Sequence, residues 1–157
     1  LTALGSVDKP ILLKRGMAAT IDEWISASDY CRRGGNDAII LCERGIRTFE
    51  SDRYSLDLSA IPIIKELTHL PVFVDPTRAV AGRAALARMA MSAVAAGADG
   101  LLLLVHTDPE KAVLDSVNTL SMDQFEKLLA DLGKLAALIG RTLELTDATE
   151  HHHKTKH

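Results

Sequence analysis

Four apolar runs spaced about thirty residues apart constrain this 157-residue chain more than any other feature of it. They are Pro10-Ile-Leu-Leu-Lys-Arg-Gly16, Ile39-Ile-Leu-Cys-Glu-Arg-Gly45, Pro71-Val-Phe-Val-Asp-Pro76 and Gly100-Leu-Leu-Leu-Leu-Val-His106. Each reads as a strand that ends in charged or turn-forming residues, and each is followed by a stretch with helical spacing. Thirty residues is the length of a βαβ unit. Strands alternating with helices, without hairpin signals, give a parallel α/β sheet. Strands that are apolar along their length and chemically loaded only at their C-terminal ends are how a (β/α) barrel builds an active site. A closed barrel of that kind has eight units. The expected fold is therefore a parallel (β/α)4 half of a TIM-type barrel, completed to eight strands by dimerisation or by a partner chain.

The helices carry their own start and stop signals. Thr20-Ile-Asp-Glu23 has the capping-box pattern, followed by Ile21, Trp24, Ile25, Ser28 and Cys31 at helical spacing and a stop at Gly34-Gly35. A second helix is expected from near Ser59, with Pro62 in its first turn, where a missing N–H costs little. An alanine-rich helix runs from Ala84 to Ala96 and closes at Gly97. Asp108-Pro109-Glu110 opens a short helical turn. Ser121-Met-Asp-Gln124 caps a last helix with Phe125, Leu128, Leu129, Leu132 and Leu135 on one stripe. The expected division is a half-barrel over residues 1–140 and a polar, disordered tail over 141–157. The tail's three adjacent histidines could hold a metal, but a loose tail is the preferred reading. The start at Leu1, on what reads as the end of a helix, suggests a processed chain or one piece of something longer.

Composition removes several function classes. A net charge of -3 argues against nucleic acid as a partner, and 4% aromatic residues leave no base-stacking platform. No apolar stretch approaches the ~20 residues of a membrane span. Cys31 and Cys42 fall on different elements and are expected as reduced, buried thiols of a cytoplasmic protein. Gly16 stands alone after the first strand, so the Gly-rich loop of a dinucleotide-binding fold is missing.

The strand ends carry Lys14 and Arg15, then Glu43 and Arg44, then Asp75, Thr77 and Arg78, and finally His106. In a barrel these converge on one mouth. Cations there suit a substrate with phosphate and carboxylate groups, arginine as a bidentate fork and lysine as a point charge. Lys14 and Arg44 are the leading candidates, with Arg15 and Arg47 behind them. The alternative is that some of these cations pair with Glu43 and Asp75 in buried bridges.

These residues resemble a known family. Lys9-Pro-Ile-Leu-Leu-Lys-Arg-Gly-Met17 is similar to the fifth strand of 3-deoxy-D-arabino-heptulosonate 7-phosphate (DAHP) synthases, and Leu41-Cys-Glu-Arg-Gly-Ile-Arg-Thr-Phe-Glu50 to the sixth strand and its loop. Leu56-Asp-Leu-Ser-Ala60 and Leu67-Thr-His-Leu-Pro-Val-Phe-Val-Asp-Pro76 resemble the approach to the seventh strand and the strand itself. Ala95-Ala-Gly-Ala-Asp-Gly100 and His106-Thr-Asp-Pro-Glu-Lys-Ala112 resemble the eighth. The resemblance runs in order from about residue 7 to 129. It implies condensation of phosphoenolpyruvate with erythrose 4-phosphate, in the shikimate pathway of aromatic amino acid biosynthesis, with a divalent metal. Lys14 and Arg44 match family residues that hold phosphoenolpyruvate.

The resemblance breaks at the metal. The family pattern has a Cys in the first strand, a His after the seventh, a Glu in the eighth and an Asp in the loop beyond. Arg78 stands where the His is expected and Leu104 where the Glu is expected; Asp115 alone matches. Arginine keeps its proton and leucine has no donor atom, so neither is a ligand. Cys42 falls on an ordinary strand position and is no replacement. The stretch that reads erythrose 4-phosphate belongs to strands not present here. The expectation is a protein that binds phosphoenolpyruvate or phosphate, without a metal cofactor and without catalysis by this chain alone. The alternatives are an active synthase whose other half comes from another polypeptide, and a non-enzymatic, self-associating module. An uncovered inner face lined by Leu12, Val74 and Leu104, together with two open sheet edges, favours a homo-oligomer or a complementary half-barrel partner in each case.

Overall fold

A computed structural model describes residues 1–49 and 52–144. After a short helix α1 (Thr2–Gly5), the order is β1 (Ile11–Lys14), α2 (Ile21–Arg33), β2 (Ile39–Glu43), α3 (Ala60–Leu67), β3 (Val72–Val74), α4 (Arg83–Ala95), β4 (Gly100–Leu101) and α5 (Met122–Leu138). The strands form one parallel sheet in the order β1-β2-β3-β4. Sequence neighbours are sheet neighbours throughout, as in one arc of a (β/α) barrel.

Both expected capping boxes form, Thr20 with Glu23 at the start of α2 and Ser121 with Gln124 at the start of α5. Pro62 lies in the first turn of α3. The short turn after Asp108 is a 3₁₀ helix at Pro109–Lys111.

The register assigns the two faces of the sheet. Lys14 is opposite Cys42, Cys42 opposite Phe73, and Phe73 opposite Gly100, so these four share one face with Leu12 and Ile40. Leu41, Val72 and Val74 share the other, and there they pack with Trp24, Ile61 and Ile64 of the helices into the main core. A second core joins α4 to α5 through Leu86, Ala90, Leu128 and Leu132.

This corrects the expected inner face. Val74 is fully buried on the helix side, and Phe73 takes its place on the inner face beside Cys42. Leu12, 38% exposed, does face inward. The fourth strand is also shorter than the expected Gly100–His106. The ladder with β3 ends as β3 enters the Asp75-Pro76 turn, and the last contact is Leu102 N–H to the Val74 carbonyl, 2.9 Å. The chain then pairs with Leu120 instead: Leu120 N–H donates to Leu104, and His106 N–H donates to Leu120.

Arg141, the first residue of the expected tail, is anchored. Its guanidinium donates to the carbonyls of Gly97 (3.1 Å) and Ala98 (2.6 Å) and pairs with Asp99 (2.7 Å). Residues 145–157 of that tail, with its histidines, lie outside the described residues. Among the described residues no helix is long and apolar enough to cross a membrane. Cys31 and Cys42 are both buried and free.

Candidate functional site at the strand ends

The C-terminal ends of the strands open onto a cavity of about 790 Å³. Lys14, Arg44, Asp75, Arg78, Leu104 and Asp115 all line it, brought together from four separate βα connections. Arg15, Arg47 and His106 do not. Arg47 is exposed on the loop after β2, held by its backbone N–H to the Met17 carbonyl. His106 is exposed too, because the fourth strand ends before it; its Nδ1 accepts from the Asp108 N–H.

Lys14 and Arg15 are adjacent on an extended chain, so their side chains point to opposite faces. Lys14 faces the cavity and donates to Asp75 Oδ2 at 2.6 Å. Burial pushes the Asp75 carboxyl up, but hydrogen bonds from Lys14 and from the Thr77 hydroxyl and N–H outweigh it, leaving the group below the ordinary carboxylate range. Asp75 is therefore ionised at neutral pH. Arg15 turns away from the cavity and is only 5% exposed. It bridges Glu43 and Asp57, both at 2.9 Å, donates to the Ala19 carbonyl and lies over the Trp24 ring. The buried-bridge alternative is thus what the structure shows for Arg15, and its partners explain why Glu43 is fully buried.

Two arginines line the cavity without an ion pair to any described residue, Arg44 and Arg78. Tyr54 holds both. Its ring lies 5.2 Å from the Arg44 guanidinium carbon, and its N–H donates to the Arg78 carbonyl at 3.2 Å. The approach is possible because residue 45 is glycine: it has φ +94°, and a Cβ there would sit 2.7 Å from Tyr54 Cβ.

Asp115 occupies a left-handed conformation, φ 47°. Its carboxylate accepts from the Asn118 side-chain amide at 3.1 and 3.2 Å. The buried Asn118 also donates to the Thr77 and Val80 carbonyls and accepts from Gly82 N–H, so it binds this loop to the one after β3. Sequence reasoning missed Asn118 and Tyr54, for neither carries a charge or a motif. Asp57 was more accessible, since a buried arginine beside a strand needs a second carboxylate.

Of the three expected ligand positions present, only Asp115 brings a donor atom to the cavity. Among the described residues no group of three or more His, Cys, Asp or Glu is placed to hold an ion. Arg78 brings a positive charge and Leu104 no donor atom. Cys42 is fully buried, and burial together with the nearby Asp75 charge pushes its thiol up to about 12, so it offers no thiolate.

A parallel sheet with helices on one face and its charged residues gathered at the strand C-termini defines the class: an arc of a (β/α)-barrel enzyme fold, with a cation-lined mouth. The chain belongs to the DAHP synthetase I family, whose sequence pattern matches residues 1–140. It is 44% identical over 141 residues to a phospho-2-dehydro-3-deoxyheptonate aldolase of Thermotoga maritima, covering 89% of this chain and 42% of that protein. It is 34% identical over 143 residues to a 2-dehydro-3-deoxyphosphooctonate aldolase of Desulfosudis oleivorans, covering 84% of this chain and 51% of the relative. Its fold is similar to that of a truncated DAHP synthase from Thermotoga maritima, with a TM-score of 0.87 and 42% identity over 91% of this chain and 55% of the other. The chain thus spans about half the length of these relatives.

Proposed function

We propose that this chain is the phosphoenolpyruvate-gripping half of a DAHP synthase-type barrel, and that it binds phosphoenolpyruvate or phosphate without performing the condensation alone. The observation that carries the reading is the convergence of Lys14 and Arg44 on one cavity at the strand ends. Fixed cations there complement a phosphorylated acid. The relatives support a site for the shared part of their substrates. Their names differ in sugar length, heptonate against octonate, but share the 2-dehydro-3-deoxy acid end. The lack of activity rests on the poor metal match of Arg78 and Leu104.

Phosphoenolpyruvate at about 100 times its Kd is expected to stabilise the chain by about 2.7 kcal/mol, read as a rise in thermal midpoint. Lys14→Ala should lose most of that protection; full protection in the variant would refute the role given to Lys14. With erythrose 4-phosphate and added divalent metal the chain should show no turnover, and turnover would overturn the non-catalytic part of the reading.

The sheet edges favour a second reading alongside it. Among the described residues no strand pairs with the outer edge of β1 or β4, and Leu12 is exposed on the inner face. A second copy of the chain is the simplest element that would close eight strands over the cavity. Native mass spectrometry of the 157-residue chain should then show twice the chain mass, and a monomer would dismiss this closure.

A further inference from the structure

The geometry points to Arg44 and Arg78 as a two-arginine clamp that holds the anionic oxygens of a phosphorylated small acid without any divalent cation. The inference rests on the reading above and extends it to Arg78, a residue that does not match the family pattern. Three observations carry it. Arg78 is exposed at the same cavity as Lys14 and Arg44 and has no ion pair among the described residues. Tyr54 links the two segments, its ring against the Arg44 guanidinium and its N–H bonded to the Arg78 backbone carbonyl. Val80, Leu102, Leu104 and Leu114 add an apolar stretch to the same wall.

The local charges favour an anion there. Asp75 is engaged by Lys14, and Asp115 is turned to the Asn118 amide. Asp52 and Arg53 add one charge of each sign. Beside Lys14, whose ammonium already meets Asp75, Arg44 and Arg78 are the lining cations without an ion pair to a described residue. A guanidinium meets phosphate or carboxylate oxygens with two parallel N–H bonds, and a neighbouring apolar wall strengthens that attraction by lowering the local dielectric. A divalent cation placed beside Arg78 would be repelled, whereas an anion would be drawn in.

The test is a calorimetric titration of phosphoenolpyruvate into the full chain, in EDTA and again with Mn²⁺, for the wild type, Arg78→Gln and Arg78→Lys. The inference expects wild-type binding that EDTA leaves unchanged. It expects binding weakened about tenfold or more in Arg78→Gln, the loss of one charged hydrogen-bonding partner, and only partly retained in Arg78→Lys, which keeps the charge but not the bidentate fork. Arg78 is exposed, so neither variant should disturb the fold, and unchanged circular dichroism would establish that. Wild-type binding that Arg78→Gln leaves intact, or that appears only with Mn²⁺, overturns the clamp while the phosphoenolpyruvate reading stands. No wild-type binding under either condition overturns both.

Discussion

Arg15→Ala is expected to cost about 3–5 kcal/mol of folding stability, because it removes the cation from a buried ion-pair network and leaves its carboxylates behind. Glu43 has no exposed surface; without Arg15 its Oε2 loses that donor, while Oε1 keeps the Gly45 N–H. Asp57 loses its cation as well. Burial pushes the Asp57 carboxyl up, while bonds from Ser59 and Arg15 hold it below the ordinary range, so it too stays charged at neutral pH. The variant also gives up the contact with the Trp24 ring. Since whole domains are stable by only about 5–15 kcal/mol, much of the chain's stability is at stake. Urea denaturation measures it. A compensating Glu43→Gln in the same chain should recover part of the loss by removing the stranded charge. If Arg15→Ala were as stable as the wild type and only ligand binding fell, Arg15 would be a substrate residue and the network would be misassigned.

A second large effect is expected at Gly45, and it joins stability to binding. Alanine there must adopt φ near +94° and places its Cβ 2.7 Å from Tyr54 Cβ. Backbone strain of this kind costs about 1–3 kcal/mol. Tyr54 has to move to relieve the clash, and it packs against the Arg44 guanidinium and bonds the Arg78 backbone. Gly45→Ala should therefore lower the denaturation midpoint and weaken phosphoenolpyruvate binding together, although residue 45 does not line the cavity. Denaturation and titration of the same preparation provide the check. A stability loss with unchanged affinity would show that Tyr54 does not set the arginines.

The local grammar of the chain was readable in advance where chemistry is local. The Thr20–Glu23 and Ser121–Gln124 boxes form as expected because each depends on residues three apart, and the same holds for Pro62 inside α3. The face of β3 was not readable in the same way. Val72, Phe73 and Val74 are all apolar, so alternation leaves no trace, and only pairing of Phe73 with Cys42 reveals which residue points inward. The Gly100–His106 run misled for a related reason: four leucines look like a strand whether or not a neighbour remains to pair with them. Where that neighbour ends is a property of β3.

The site was legible in part. Lys14, Arg44, Arg78, Leu104 and Asp115 do meet at one cavity, which the barrel pattern implied. The sorting of Lys14 from Arg15 follows from strand alternation and was within reach of the sequence. The roles of Tyr54 and Asn118 were not, since both act by bridging segments that only the fold brings together.

A crystal structure of the chain with bound phosphoenolpyruvate tests the central claim most directly. The account predicts phosphate or carboxylate oxygens within hydrogen-bond distance of both Lys14 Nζ and the Arg44 guanidinium, at the C-terminal ends of β1 and β2. An ordered ligand that touches neither residue would contradict it.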